Sequence, residues 1–280
     1  MKTVHKMALA RAAYRAVHFG RVIAGRTDRC IATRDGISYE LDLSQGIDFA
    51  IYLGNVFERS TKQALRRLVR PSALVLDIGA NIGAHTLYLA QLVGPHGRVL
   101  SFEPTDFAFQ KQARNFSLNP DLARRIVAHQ CFLAAQDEAD IPEAIYSSWP
   151  LPRGEDRHAK HLGEEMPTKA ARARSLDSIL ADYDDARVQL VKLDVDGYEC
   201  EVLRGASRLL KVVRPVFVME LAPYVLGERG SSLDEFLSFF TPNGYQFFDE
   251  RTDRLLPSTA AELQNMIADG ESINVVARAA

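Results

Sequence analysis

Cysteine is scarce in this chain of 280 residues: Cys30, Cys131 and Cys200 are odd in number, far apart and in no C-x-x-C pair. That argues against a disulfide framework or a cysteine zinc site and fits a reducing compartment. A dominant charge sign is missing as well. The 34 Lys and Arg against 36 Asp and Glu leave a formal net charge of −2, which gives no electrostatic ground for expecting a nucleic-acid partner. Long apolar runs are absent, and the N-terminal apolar stretch is broken by Arg11 and Arg15, so it reads as neither a secretory signal nor a membrane span. A cytoplasmic protein is the expectation. What is plentiful is core material, 47% hydrophobic residues with 25% charged, enough for one ample core and an appendage.

The most informative stretch is Leu74-Val-Leu-Asp77-Ile-Gly79-Ala80-Asn81-Ile-Gly83-Ala-His85-Thr86, which reads as a buried strand, a glycine turn and a helix start. Open α/β sheets hold nucleotide-like ligands at such junctions. A dinucleotide fingerprint would need glycine at 79, 81 and 84, whereas the chain has Gly79, Asn81 and Ala84, so a pyrophosphate cradle is disfavoured. The acid that leads the turn, Asp77, would repel phosphate but suits an amine, such as the one S-adenosylmethionine carries. A second acid, Glu103 before Pro104, ends the next apolar run about 20 residues beyond Gly83, the offset at which an acid meets ribose hydroxyls.

Along the chain, residues 1–29 carry Lys2, Lys6, Arg11, Arg15, Arg21 and Arg26 with no acid before Asp28, over a loose helical stripe of Met7, Ala10, Tyr14, Val17 and Val22. This predicts an amphipathic basic helix, either lying on the domain with a solvated outer face or serving as a membrane-surface or partner-docking arm. Short strands around Arg34-Asp35-Gly36 are expected over 30–56, then a helix over 57–68; residues 1–70 read as a helix and strand cap on a domain spanning 71–280. In that domain strands are expected near 74–79, 98–103, 126–133, 188–194 and 214–220, and helices near 82–93, 106–117, 175–183 and 198–211. Two further strands, 244–249 and 273–278, flank a short helix near 260–268, a terminal antiparallel pair added to five parallel strands.

Residues 136–172 interrupt the rhythm with prolines, charges, His158, His161 and the lone Trp149. The insert reads as a decorated surface loop or as an acceptor lid in which Ser147, Ser148 and Trp149 meet the substrate. His158 and His161 have the close spacing of metal ligands but no third ligand nearby, so no metal is expected there. A second chemical cluster, Lys192-Leu-Asp194-Val-Asp196-Gly197-Tyr-Glu199, again runs from strand into turn and helix at the same sheet edge. Lys192 either snorkels or pairs with Asp194 or Glu220. Asp196 with Glu199 resembles a helix N-cap and its third-position acid, which leaves Asp194 the better catalytic candidate and Glu220 a further part of an acidic wall.

Taken together, Ile47-Asp48, Asp77-Ile-Gly79-Ala-Asn81-Ile-Gly83, Phe102-Glu103-Pro104, Ser175-Leu-Asp177, Lys192-Leu-Asp194-Val-Asp196-Gly197-Tyr-Glu199 and Val202-Leu-Arg204-Gly205-Ala206 resemble the FkbM family of methyltransferases over about residues 45–250. Asp196 stands where that family usually has Glu, and Thr105 where it often has Asn. The resemblance implies a Rossmann-like class I methyltransferase with a mainly parallel seven-stranded α/β sheet, and O-methylation of a hydroxyl on a sugar, glycolipid, polysaccharide or natural product. On this reading S-adenosylmethionine is held by Asp77 at its amine, by the Gly79–Gly83 backbone including Ala80 and Asn81 at its carboxylate, and by Glu103 with Pro104 at its ribose. The acceptor, a small molecule or glycan, meets Trp149, Ser148, Asp196 and Glu220. Asp194 and Lys192 are the catalytic candidates and His85 a reserve base. An NAD-dependent oxidoreductase and a non-catalytic scaffold that binds a partner are the competing readings.

Overall fold

Residues 3–54, 56–152, 158 and 162–279 are described by the structure, a computed structural model. Helix α1 (Thr3–Ile23) precedes β1 (Arg29–Arg34) and β2 (Ile37–Asp42), which pair antiparallel across a two-residue turn at Asp35 and Gly36. Both turn residues have positive φ, 50° and 78°, matching the twist that a short hairpin needs. The strand pattern expected over 30–56 stops at Asp42. There the Asp42 carboxylate accepts from Ser44 N at 3.1 Å and Ser44 Oγ at 2.6 Å, turning the chain into α2 (Gly46–Tyr52) instead of a third strand. Helix α3 (Arg59–Leu68) follows.

The alternating part begins with β3 (Leu74–Ile78), α4 (Ala84–Leu92), β4 (Arg98–Phe102), α5 (Asp106–Ser117), the one-turn α6 (Pro120–Ala123) and β5 (Ile126–His129). The strand expected over 126–133 is two: β5 stays in the main sheet, whereas β6 (Cys131–Leu133) leaves it. The insert contributes β7 (Ala144–Ser148) and β8 (Glu164–Pro167), paired antiparallel, and β9 (Arg172–Arg174), which gives β6 its parallel partner. All three β6 residues are buried, so the departure costs no apolar exposure.

Next come α7 (Leu176–Leu180), capped by the Ser175 side chain, β10 (Val188–Leu193) and α8 (Glu199–Arg204). The helix expected over 198–211 breaks at Gly205, where an added Cβ would lie 2.2 Å from the Ala134 carbonyl oxygen; a wide helical turn, Leu209–Val213, resumes beyond it. The remainder is β11 (Val216–Leu221), α9 (Pro223–Glu228), α10 (Leu233–Phe240), β12 (Tyr245–Asp249), α11 (Ala260–Met266) and β13 (Ile273–Ala279).

The main sheet runs β5-β4-β3-β10-β11-β13-β12. Only β13 opposes its neighbours, because it is threaded between β11 and β12. Strand order reverses between β3 and β10, so a crevice opens beyond their carboxyl ends. All five β3 residues are buried, as a strand covered on both faces requires: Leu74, Leu76 and Ile78 join one core cluster and Val75 the other. The N-terminal elements share a third cluster with the sheet's helices, in which Tyr39, Leu41 and Phe49 pack with Ile82, Leu87 and Phe116. Lys111 of α5 is ion-paired to the buried Asp48 of α2, and the side chains of Asn115 and Asn119 accept from Glu40 N and Ser38 N at 2.9 Å, closing the outer edge of β2. No helix among the described residues is long and apolar enough to cross a membrane.

Candidate active site

At the reversal point β3 and β10 approach so closely that Gly79, at φ 79°, has no room for a Cβ; one would fall 1.7 Å from the Asp194 carbonyl oxygen. Gly83, at φ 80°, is needed for a different contact: its missing Cβ admits the Phe116 ring, and the residue lines neither cavity of the crevice. The turn's amides are already used. Gly79 N and Ala80 N donate to Phe102 O, Asn81 N to Glu103 Oε2, Ile82 N to Asn81 Oδ1 and Gly83 N to Ala80 O. The expectation that this backbone holds a ligand's carboxylate is therefore corrected. The free donors lie one step on, in the first turn of α4, where helical amides lack acceptors and where Ala84 and His85 line a cavity.

Two cavities meet here, sharing Gly79, Asn81, Asp194 and Asp196. The smaller, about 50 Å³, is mostly apolar, walled by Phe102, Phe132, Ile145 and Val202, with Glu103 and Pro104 at the end of β4. Burial pushes the Glu103 carboxyl up, while the Thr105 hydroxyl and the amides of Thr105 and Asn81 pull it back down. Ser147 from the insert closes this side, 2.9 Å from Thr105 Oγ1 and accepting from Asn81 Nδ2 at its carbonyl, 3.1 Å away. Arg229 sits over the rings of Tyr146 and Tyr198, tying insert to sheet. So part of the insert walls the nucleoside-like cavity, which the sequence placed on the acceptor side alone.

The larger cavity, about 540 Å³, gathers His85, Trp149, Lys192, Asp194, Asp196 and Glu220 around the turn. The structure thus brings together residues that lie as far as 135 positions apart in the sequence. Besides Gly83, two further expected site residues, Asp77 and Ser148, line neither cavity. Asp77 is fully buried: Thr86 Oγ1 donates to its Oδ2 at 2.6 Å, Lys192 Nζ is 3.7 Å from its Oδ1, and it lines neither cavity. Its carboxylate lies beside Lys192, and its Oδ1 has no hydrogen-bond partner among the described residues. Ser148 is also buried, donating to Gln45 Oε1 at 2.8 Å; it pins the insert to the N-terminal elements and lines neither cavity.

Lys192 pairs with Asp194 at 3.3 Å as well as with Asp77. Burial favours its neutral form, but Asp194, Asp77 and Glu58 outweigh that and push its pKa up, so it stays an ammonium and is no proton acceptor. Asp196 does not cap α8. The chain takes left-handed conformations at Asp196 and Gly197, φ 49° and 97°, so the helix starts at Glu199, and Glu199 Oε1 accepts from Val195 N and Gly197 N. Freed from capping, Asp196 lines both cavities. Burial, then Asp194, Glu220 and Glu199, pushes its carboxyl well above the usual range. Burial and Asp194 push Glu220 up to about 8, although the Ser272 hydroxyl donates to it.

Glu58 is the residue that sequence reading missed. It stands at φ 40° just before α3 without capping it, and its Oε2 lies 2.7 Å from Nε2 of the buried His85. Burial raises the Glu58 carboxyl, but His85, Lys192 and Lys62 hold it below its ordinary value. Phe57 stacks obliquely on the imidazole at 5.4 Å, and His85 Nδ1 has no hydrogen-bond partner among the described residues. Nothing in the local sequence marked this acid, since its partner is 27 residues away on another helix. His161 lies outside the described residues, and His158 Nε2 is 3.0 Å from Glu228 Oε2. Among the described residues no three His, Cys, Asp or Glu side chains form a metal-ligating group.

An apolar slot with a carboxylate at its rim, joined to an acid-rich cavity at a glycine turn, fits a nucleoside that carries a cationic extension, the chemistry of S-adenosylmethionine. The sheet order, with β13 threaded antiparallel before the edge strand, is that of the Rossmann-like class I methyltransferases. The model of the methyltransferase FkbM domain matches residues 77–247, more than half of the chain, and the protein belongs to that family. Methyltransferase sdnD of Sordaria araneosa is 28% identical over 157 residues, 48% of this chain and 60% of that protein. Methyltransferase 1 of Beauveria bassiana is 29% identical over 148 residues, 48% of this chain and 58% of its own length. The chain therefore spans about three fifths of the length of these two relatives. A solved SAM-dependent O-methyltransferase from Thermotoga maritima aligns over 92% of this chain and 80% of its own, at 14% identity and a TM-score of 0.44.

Proposed function

We propose that the protein is an S-adenosylmethionine-dependent O-methyltransferase acting on a hydroxyl of a sugar, glycolipid, polysaccharide or natural product. The observation that carries this reading is the junction of the two cavities at Gly79, Asn81, Asp194 and Asp196, which sets a nucleoside-like slot against an acid-rich chamber holding an oriented imidazole. When bound, S-adenosylmethionine supplies a methyl group already activated on a sulfonium. Glu103 and Pro104 hold its nucleoside end, Asp194 and Asp196 its cationic part, and the first turn of α4 its carboxylate. Holding donor and acceptor in line is worth up to about 7–11 kcal/mol of barrier.

The acceptor occupies the larger cavity beside Trp149. Of the two groups suggested as base we favour His85: Glu58 orients it through Nε2, and Nδ1, unpartnered among the described residues and enclosed in the ligand-free protein, is to take the hydroxyl proton once the acceptor reaches it, whereas Asp194 is engaged by Lys192. Glu58 then balances the imidazolium. Calorimetry against S-adenosylmethionine, its demethylated product and NAD tests the reading. Binding of both sulfur nucleosides without NAD is expected, and a gain of one methyl on a hydroxyl in host extract completes the case. Tight NAD binding with no affinity for either sulfur nucleoside would overturn it.

A further inference from the structure

Helix α1 is only half used. On its inner side Tyr14 is buried, Ala10, Ala13 and Val17 pack beside it, and Arg11 Nε donates to Leu151 O at 3.1 Å. Leu9, Ala12, Ala16, Phe19 and Ile23 recur at steps of three and four and so share one face. That face is solvent-exposed, with Leu9 63%, Phe19 67% and Ile23 72% accessible and Val22 beside them. An exposed apolar stripe of this length on a soluble face calls for a partner.

The charge around the stripe identifies its occupant. Six Lys or Arg residues precede the first acid, Asp28, in a chain whose formal net charge is −2. Where the helix ends, Arg21, Arg26 and Arg29 line a surface pocket of about 540 Å³ together with Ile31, which is itself 64% exposed. We infer that α1 docks on an anionic phospholipid surface, lying in its plane with Phe19 and Ile23 toward the acyl boundary and the exposed Arg15, beside the stripe, with Arg26 and Arg29 beyond the helix end toward headgroup phosphates. A second copy of the chain is a poorer occupant, since the helix carries exposed Arg15 and no acid of its own with which to pair across a twofold axis. Insertion across the bilayer does not fit either, because no described helix is apolar enough.

The full chain, without donor or acceptor, is to be sedimented with vesicles of phosphatidylcholine alone and with about 30% phosphatidylglycerol added. Binding at least ~10-fold tighter to the anionic vesicles is expected, weakening steeply as salt is raised. Phe19→Glu with Ile23→Glu, and separately Arg26→Glu with Arg29→Glu, should each weaken it about tenfold or more at unchanged thermal stability. Equal binding to both vesicle types, or to neither, overturns the proposal. So does a dimer in sedimentation velocity that Phe19→Glu with Ile23→Glu dissolves, which would assign the stripe to a second copy. The lipid and salt comparison uses the unaltered chain, so it decides the matter even where a variant fails to fold.

Discussion

Glu58 and His85 form a pair in which the carboxylate's work is done through the ring. If His85 Nδ1 takes the proton, His85→Gln removes the acceptor and should lower kcat by about 10²–10⁴-fold. Glu58→Gln keeps a group near Nε2 but loses the charge that balances an imidazolium, so its kcat should fall less and its pH–rate profile should move. Donor affinity should stay near wild type in both, because both side chains lie outside the nucleoside-like cavity and either substitution leaves the amides of the first turn of α4 in place. Steady-state kinetics across pH, paired with donor titration, reads all three terms. Full activity in His85→Gln would return the base role to Asp194, which Asp194→Asn would then expose.

At the level of elements, the insert does two jobs at one strand's end. Ser147 is hydrogen-bonded to Thr105 and Asn81 beside Glu103, whereas Trp149, two residues on, lines the larger cavity and its carbonyl accepts from Gly46 N at 2.8 Å. Positions two apart on a regular strand would share a face, but the pairing of β7 is irregular between Tyr146 and Ser148 and the strand ends at Ser148, so the chain crosses from one cavity to the other here. Ser147→Ala removes the hydroxyl that bridges to Thr105 and should weaken donor binding by about 1 kcal/mol, roughly fivefold. Trp149→Ala should raise the acceptor KM with donor affinity unchanged. Calorimetry for the donor and kinetics for the acceptor separate the two, and an effect of Trp149→Ala on donor binding alone would show the division to be wrong.

Over the whole molecule, the buried acids make stability depend on pH. Burial pushes Glu199 up to about 7 and Glu220 up to about 8. A carboxyl raised in the folded state stabilises below its unfolded pKa, and that contribution is lost as pH rises through the folded value. Stability of the ligand-free protein should therefore decline from about pH 4.5 to about pH 8 on account of these groups. Glu199→Gln keeps an oxygen for the amides of Val195 and Gly197 but cannot ionise. It should match wild type near pH 4.5 and exceed it by about 3 kcal/mol near pH 8, read from denaturant midpoints at each pH. An unchanged pH profile in Glu199→Gln would show that another group sets it.

The sequence by itself determined the alternating architecture, the position of the ligand crevice and the family. The apolar runs at β3, β4, β10 and β11 could be buried only in a sheet covered on both faces, and glycine at 79 marks a turn whose backbone must be left-handed. These are local requirements, written at fixed spacing. Tertiary structure alone decided which side chains face the crevice. Asp77 and Ser148 look exposed to the crevice in sequence but are buried beside Lys192 with Thr86 and beside Gln45, while Asp196 is released because the chain turns left-handed before α8 can start. Glu58 entered the site through a contact between two helices that no local pattern encodes. A residue's type sets what chemistry it can do, but whether it is free to do it depends on partners supplied by distant segments.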